Sequence, residues 1–235
     1  MRQLLEESQQ LPNFEKLETV FLDCSQHVIK AYQKILSNFP ITYNHEDILN
    51  DALYEALDEV FMEEADNGGH YLMLIPQAYD PTKRKQYGKA AKPDFIILWN
   101  TNPNYRKYAF FFECKRLSCN HKNQEYINNG INRYKKSFYA KEMPFAAMIG
   151  YIEQGNVEQI ITDINEKLST KFPNDNKIVH NNLFYWKSSH SRKDNDNITL
   201  YHIFLDFRDT QKKITLCANQ QLQISRINEN MPVPQ

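Results

Sequence analysis

The sequence predicts an α/β (α+β) protein in which helices flank a mixed central sheet, with an N-terminal helical extension. Apolar residues recur at helical spacing in several segments, whereas aromatic and β-branched residues are concentrated in short runs between those segments. The 235 residues are enough for one large domain. We expect the extension over residues 1–43, the main domain over residues 44–227 and a flexible tail over residues 228–235.

Two amphipathic helices are predicted before the first strand. Residues 13–38 carry apolar side chains at every third or fourth position, and Pro40 ends this pattern. We expect the apolar face of this helix to pack on the protein, or to form a homodimer or partner interface. The second helix runs from His45 to about Ala65, and Asn44 is placed to cap it.

Three strands are predicted after these helices, and the last two form an antiparallel hairpin. Residues 70–75 make the first strand. The runs Phe95–Trp99 and Tyr108–Phe112 are aromatic and branched, and the polar residues 100–107 between them are typical of a turn. Both faces of the last strand are apolar, so we expect it to be central and covered on both sides.

The register of the hairpin brings ionisable side chains together. The hairpin is symmetrical about the bond Pro103–Asn104, which sets Asp94 opposite Glu113 with their Cβ atoms roughly 5 Å apart. Lys115 shares the face of Glu113, and we expect its ammonium group at the exposed end of the strand. Two buried carboxylates repel each other unless a cation lies between them, and oxygen ligands of this kind suit Mg²⁺. The alternative is an exposed strand end with a simple Glu–Lys pair.

The later elements alternate between helix and strand. We predict a helix over Gln124–Ala140, a strand over Phe145–Ile152 that runs parallel to its neighbour, and a helix over Val157–Leu168. Residues 170–197 are rich in Asn, Asp, Lys and Ser, and we expect a long loop there. A strand over Thr199–Phe207 and a shorter one near Lys213–Cys217 follow.

Two short motifs lie at the ends of the hairpin strands. Pro93-Asp94 precedes one strand, and Glu113-Cys114-Lys115 ends the next. This pattern resembles the PD-(D/E)xK nuclease superfamily, also called restriction-endonuclease-like, whose members share an α-β-β-β-α-β core and cut phosphodiester bonds with Mg²⁺. The resemblance covers about Glu46 to Glu153. It implies Mg²⁺ as the cofactor, with Mn²⁺ as a substitute.

The resemblance also implies roles for individual residues. Asp94 and Glu113 would bind one or two Mg²⁺ ions, with the backbone carbonyl of Cys114 as another ligand. The metal would lower the pKa of its bound water and polarise the scissile phosphate. Lys115 would orient that water and stabilise the charge that develops on the phosphate oxygens.

A further acid near the metal often comes from the first core helix in this superfamily. Glu46 is the best match, because it shares the inward face of the second predicted helix. Asn50, one turn further along that face, carries no charge and is a poorer candidate. The alternative for Glu46 is a helix-start carboxylate that the helix dipole favours.

Positive charge is concentrated around the proposed site. From Lys83 to Lys141 there are 14 Lys and Arg residues and three acids, although the net charge of the whole chain is −1. Such a surface would favour the binding of a polyanionic substrate. The alternative is an ordinary solvated surface of lysines. The candidate nucleic-acid-binding residues are Lys83, Arg84, Lys85, Gln124, Arg133, Lys136, His190 and Arg192. For the last two, which lie in the polar segment 188–192, a plain polar loop is the alternative.

These features favour a Mg²⁺-dependent nuclease that hydrolyses DNA with little sequence specificity, with RNA left open as a substrate. The resemblance implies a restriction or anti-phage role. The alternative is a catalytically silent or partner-gated nucleic-acid-binding or assembly subunit that keeps the nuclease fold. No apolar run approaches the roughly 20 residues needed to cross a membrane, and the N-terminus lacks the apolar core of a signal peptide. The four cysteines lack zinc spacing. We therefore expect a cytoplasmic protein with reduced thiols.

Overall fold

The computed structural model describes residues 14–38, 45–66, 72–76, 92–99, 109–118, 121–168, 177–180, 183–193 and 196–208. Within these residues the chain folds into a seven-stranded mixed sheet flanked by helices, including an N-terminal helix. The predicted hairpin turn, the boundary at residue 43, the strand near residues 213–217 and the tail lie outside the described residues. No helix in these ranges is both long and apolar enough to cross a membrane.

As far as Lys167, the helices and strands follow the predicted order. The helices are α1 (Phe14–Asn38), α2 (Glu46–Asp66), α3 and α4 (Val157–Lys167). Helix α3 consists of three consecutive segments, His121–Glu125, the π-helical Tyr126–Ile131 and Asn132–Lys135. The strands are β1 (Leu72–Pro76), β2 (Phe95–Trp99), β3 (Ala109–Leu117), β4 (Phe145–Ile152), β5 (Lys177–His180), β6 (Leu183–Ser191) and β7 (Asn197–Asp206).

The sheet has the strand order β1-β2-β3-β4-β7-β6-β5. Strands β2 and β3 are antiparallel, whereas β3 pairs in parallel with β4, and β4 in parallel with β7. Helix α3 provides the crossover between β3 and β4, which a parallel pair requires. The strands at the middle of the sheet are therefore covered on both faces, and every residue of β4 is buried.

Helix α1 covers one face of the sheet. Its Phe21 ring lies 5.5 Å from that of Phe110, 5.8 Å from Phe112, 4.9 Å from Phe145 and 5.1 Å from Tyr201, measured between ring centroids. Of the two expectations for the apolar face of this helix, packing on the protein is therefore the one that the structure shows. The helix is part of the core that supports β3 and β4.

The long loop expected over residues 170–197 is wrong, because most of the described residues of this segment form the antiparallel pair β5 and β6. Strand β6 then pairs with β7. Its polar side chains misled the prediction: Ser188 and His190 are buried although they are hydrophilic. Together with His202 and Tyr126 they form one hydrogen-bonded chain, Tyr126–His202–Ser188–His190, with 2.7 Å at each contact. Hydrogen bonds of this kind reduce the cost of burying polar groups.

We predict that Phe21→Ala lowers the free energy of unfolding by about 3–5 kcal/mol, because the side chain is fully buried among four aromatic rings. Urea denaturation followed by circular dichroism measures this loss. Gln33→Ala, at an exposed position of the same helix, is the matched control and is expected to change stability by less than about 0.5 kcal/mol. Equal stability of the two variants would mean that α1 does not support the sheet.

Candidate active site

The β2–β3 ladder places the two carboxylates of the motif opposite each other. Phe95 pairs with Phe112, and Ile96 with Phe111. Extending this register by one residue sets Asp94 opposite Glu113, as the symmetry of the hairpin predicts.

The ammonium group of Lys115 lies among the oxygens of this region. Its Nζ is 3.1 Å from Glu113 Oε1, 3.7 Å from Asp94 Oδ2 and 2.8 Å from Glu46 Oε1. It also donates a hydrogen bond of 2.5 Å to the carbonyl oxygen of Cys114. Because Asp94 Oδ2 and Glu113 Oε1 both lie near the same nitrogen atom, the two carboxylates are close to each other. The structure thus brings together all five residues of the proposed metal and catalytic set.

Lys115 is buried, and the expectation that its ammonium group sits at the exposed end of the strand is wrong. Its relative exposure is 8%. Helix α3 lies over its stem, because Gly130 lets the helix approach closely: a Cβ atom at position 130 would overlap the methyl group of Met148 and lie 3.8 Å from Lys115 Cγ. Replacing Lys115 with alanine would therefore remove the cation that Asp94 and Glu113 share.

Each motif carboxylate is also held by neutral or cationic donors. Asp94 Oδ1 accepts a hydrogen bond of 3.0 Å from Asn50, and its Oδ2 accepts one of 2.7 Å from the backbone N–H of Cys114. The Tyr151 hydroxyl donates to Asn50 Oδ1 at 2.9 Å and so orients the amide. These contacts fix the Asp94 carboxylate between α2, β3 and β4.

Glu113 is held from the opposite side, by the segment at the end of α3. The Tyr139 hydroxyl donates to Glu113 Oε2 at 2.6 Å, and Arg133 Nη1 donates to Oε1 at 2.8 Å. The Glu113 side chain is 1% exposed, whereas that of Arg133 is 35% exposed. Arg133, expected to bind nucleic acid, thus pairs with the site carboxylate and still reaches the surface.

Burial and charge set the protonation of these groups. Burial raises the pKa of Glu113 to about 7, and the neighbouring charge of Asp94 adds to this, while Lys115, Tyr139 and Arg133 oppose it. Burial also raises the pKa of Asp94, against the effects of Lys115 and the Cys114 N–H. Burial opposes the charge on Lys115, but Glu113, Asp94 and Glu46 outweigh it and raise the pKa of the ammonium. The lysine therefore stays charged while Glu113 titrates near neutrality.

Glu46 uses both carboxylate oxygens within the protein. Its Oε1 accepts from Lys115, and its Oε2 accepts a hydrogen bond of 3.2 Å from the backbone N–H of Arg116. Glu46 is the first residue of α2, and its side chain is 30% exposed. The structure thus places Glu46 beside the cluster through the lysine.

The donor set suits a hard cation, although an ammonium group now stands among the oxygens. Three carboxylates and one carbonyl surround Nζ, and Mg²⁺ is bound by oxygens of this type. In the part of the chain that the structure describes, no group of three or more His, Cys, Asp or Glu side chains is arranged as a metal site. The oxygen ligands are of the type that Mg²⁺ prefers, but Lys115 must give up some of its contacts with them for the ion to bind.

A strained turn presents Tyr139 to the site. Ser137 and Ala140 both have positive φ angles, 53° and 55°, which are unfavourable for residues with a Cβ atom. The buried guanidinium of Arg192 holds this turn: Nη1 donates to the carbonyls of Ala140 at 3.0 Å and Lys141 at 2.6 Å, and Nη2 donates to that of Met143. The expected nucleic-acid-binding role of Arg192 is therefore wrong, because its guanidinium binds carbonyl groups inside the protein.

The same correction applies to His190. It is 2% exposed, and its Nε2 contacts Ser188. Burial lowers the pKa of His190 to about 4, with a further contribution from Lys135, so the ring is neutral at physiological pH. Its burial keeps the ring away from the phosphate groups of an external nucleic acid.

The remaining nucleic-acid-binding candidates differ in position. Lys136 is exposed, with Nζ 6.0 Å from the centroid of the Phe138 ring. Gln124 donates to Asn128 at 3.1 Å on the surface of α3. The run Lys83-Arg84-Lys85 lies outside the described residues.

Three residues support the carboxylates in ways that the sequence did not predict: Asn50 and Tyr139 donate to them, and Tyr151 orients Asn50. Asn50 shares a helix face with Glu46, but its lack of charge ranked it low, although an amide can bind both a carboxylate and a hydroxyl. Tyr139 and Tyr151 lie within a predicted helix and a predicted strand, and neither pattern singles them out. Buried tyrosine hydroxyls need partners, and this is the signal that would have suggested them.

The chain matches no protein-family model, no curated protein and no solved structure. The assignment of function therefore depends on the geometry of this site and on the motif that predicts it.

We predict that Glu113→Gln is more stable than the wild type at pH 8 without metal, and that this advantage shrinks by about 2–3 kcal/mol as the pH falls to 5. The pKa of Glu113 is raised to about 7 in the folded state, so the folded protein binds the proton more tightly than the unfolded chain. Ionisation of Glu113 thus lowers stability as the pH rises from about 4.5 through 7, and glutamine does not ionise.

Chemical denaturation across this pH range, in the presence of EDTA, measures the difference. Glu125→Gln, an exposed acid on α3, is the control and should follow the wild type. A pH-independent difference between Glu113→Gln and the wild type would show that Glu113 does not titrate in this range.

Proposed function

We propose that the protein is a Mg²⁺-dependent phosphodiesterase that cuts DNA. One observation carries the proposal: the Lys115 ammonium lies within 3.7 Å of both carboxylates of the Asp94 and Glu113 pair, and donates to the adjacent Cys114 carbonyl. Carboxylates that bind a metal, beside a lysine that stabilises developing negative charge, form a set suited to phosphodiester hydrolysis.

The order of the elements supports a restriction-endonuclease-like fold. Helix α2 precedes β1, β2 and β3, helix α3 follows, and β4 pairs in parallel with β3. This is the α-β-β-β-α-β order of the PD-(D/E)xK nuclease superfamily. The motif carboxylates lie where β2 begins and near the end of β3, which is where the resemblance would place them.

The residues that would hold the ion are Asp94, Glu113 and the Cys114 carbonyl. When bound, the ion supplies Lewis-acid polarisation of the phosphate and a bound water of lowered pKa. Lys115 donates hydrogen bonds to the attacking water and to the oxygens that gain charge. Asn50 and Tyr139 keep the two carboxylates oriented, since each donates to one of them. Preorganised donors and ligands of this kind need little rearrangement during the reaction.

Positive charge beside the site supports a polyanionic substrate. Arg133 is 35% exposed next to Glu113, and Lys136 and Lys141 are exposed beyond it. Other cations of the basic region are used internally, because Arg116 and Lys122 both pair with Glu153. Nothing in the described residues marks an element that reads bases, so we propose low sequence specificity. A restriction or anti-phage role follows from the resemblance alone.

One observation favours a second candidate, a partner-gated or catalytically silent nucleic-acid-binding subunit. The ammonium of Lys115 already contacts the carboxylates in this structure and donates to the Cys114 carbonyl. A protein whose internal cation never yields to a metal would keep the fold and bind nucleic acid without cutting it. The intact set of Asp94, Glu113 and Lys115 favours the nuclease.

We predict Mg²⁺-dependent cleavage of plasmid DNA that EDTA abolishes and Mn²⁺ restores. Asp94→Asn and Lys115→Ala should each lower the rate by roughly 10²–10³-fold or more, because each removes a metal ligand or a charge-stabilising donor. Gel assays with plasmid, linear DNA, single strands and RNA measure the substrate preference.

Asp47→Asn, an exposed acid on α2, is the matched control and should cut like the wild type. Melting temperatures are measured for all variants, since loss of the buried Lys115 also destabilises the fold. A folded Lys115→Ala variant that cuts at the wild-type rate would exclude this active site. A wild type that binds DNA without cutting it would favour the silent subunit.

We predict that neutralising Lys83, Arg84 and Lys85 weakens DNA binding and flattens its salt dependence, by roughly one unit of slope for each lost phosphate contact. Binding of labelled DNA at several NaCl concentrations, by fluorescence anisotropy, gives the slope. Lys16→Gln, an exposed lysine on α1, is the control. An unchanged slope in the triple variant would mean that this basic run is only a solvated surface.

A further inference from the structure

Lys115 and the proposed metal ion require the same oxygens. The ammonium contacts four oxygens, which belong to Glu113, Asp94, Cys114 and Glu46. The first three are the proposed metal ligands. An ion bound by those three would take hydrogen-bond acceptors from the ammonium and would also repel it. The lysine and the ion therefore compete for one position.

Glu46 is the partner of Lys115 that this competition leaves in place. Its Oε1 is 2.8 Å from the ammonium, and its Oε2 is fixed by the backbone N–H of Arg116 at 3.2 Å. The superfamily resemblance implies that an acid on this helix binds the metal. In this chain both oxygens of that acid are directed to Lys115 and to the backbone beside it.

From these contacts we infer that the Lys115 ammonium is a tethered cation that occupies the metal position until the metal arrives, and that Glu46 is the positioning residue that then retains it. The inference rests on the proposed function, since it takes Asp94, Glu113 and Cys114 as the metal ligands. It assigns Glu46 to the lysine, in place of the expected direct metal ligand.

Two physical constraints support this division of roles. The stem of Lys115 is enclosed under α3, with its Cγ beside Gly130, so the ammonium can move only over a short arc. A buried ammonium that has lost its acceptors is unfavourable, and it needs a carboxylate within that arc. Glu46 already lies there. It keeps Lys115 close to the ion, where the proposed reaction needs a charged donor.

Metal affinity in a double-mutant cycle tests the inference without any cleavage. Mg²⁺ binding is measured by calorimetry for the wild type, Lys115→Met, Glu46→Gln and the double variant. Lys115→Met should raise the affinity at least about tenfold, because the competitor is removed. Glu46→Gln should lower it about tenfold, because the displaced ammonium has lost its acceptor. Asp47→Asn removes the same charge from the neighbouring, exposed position and corrects for long-range electrostatics.

The double variant distinguishes the two roles of Glu46. If Glu46 acts through Lys115, then in the Lys115→Met background Glu46→Gln costs no more than Asp47→Asn. If Glu46 binds the metal directly, its loss costs as much in that background as in the wild type, and the inference is overturned. An affinity of Lys115→Met equal to that of the wild type would also overturn it.

A spectroscopic measurement keeps the test independent of Lys115→Met, which removes a cation from buried carboxylates and can fail to fold. The ¹⁵Nζ signal of Lys115 is followed by NMR in isotope-labelled wild type and Glu46→Gln. With saturating Mg²⁺, the wild-type ammonium should shift but stay protected from exchange with water, whereas in Glu46→Gln its signal should be lost to fast exchange. Equal protection in both proteins would overturn the inference.

Failure of the proposed function gives a different result. In that case neither the wild type nor Lys115→Met binds Mg²⁺, and no cleavage occurs, so the inference falls with it. If the wild type binds Mg²⁺ and cuts DNA while the cycle shows no dependence of Glu46 on Lys115, only the inference fails.

Discussion

The structure around the candidate site depends on the neutralisation of buried negative charge. Asp94 and Glu113 lie on adjacent strands of a covered sheet, where their charges are unfavourable without a cation. Lys115 supplies that cation from the same strand as Glu113, two residues later, so strand alternation alone brings it to the right face. One ammonium offsets only part of this charge, and Arg133 and the hydrogen bonds from Asn50 and Tyr139 stabilise the carboxylates further.

Helices α1 and α3 are arranged on the sheet in a way that supports this cluster of charges. The carboxylates need a dry, rigid background, and α1 provides it on one face by packing Phe21 against the aromatic residues of β3 and β4. On the other face, the π-helical segment of α3 brings Gly130 close to the sheet. Irregular π-helical turns occur often at functional sites, because they change which residues a helix presents to its surroundings. Here the turn precedes Arg133, which pairs with Glu113.

The parts that depend on local periodicity could be predicted from the sequence. The register of β2 and β3 follows from turn symmetry, and the spacing of Lys115 after Glu113 follows from alternation along a strand. The parts that depend on hydrogen bonds between residues distant in the sequence could not be predicted. Polar residues on β6 suggested a loop, because the buried partners of His190 come from distant elements. Arg192 was predicted to bind phosphate because its actual partners could not be seen in the local sequence. They are three carbonyl groups about 50 residues away along the chain.

The dependence of the strained turn on Arg192 has a consequence for synthesis of the chain. Glu113 is oriented by Tyr139, which lies between Ser137 and Ala140, and the carbonyls that follow are held by a guanidinium encoded some 50 residues later. On the ribosome, the motif residues emerge long before the arginine that stabilises the turn beside them. A nascent chain would therefore carry the cluster of charges before it carried an ordered site. The candidate site would thus be completed only after Arg192 has been synthesised.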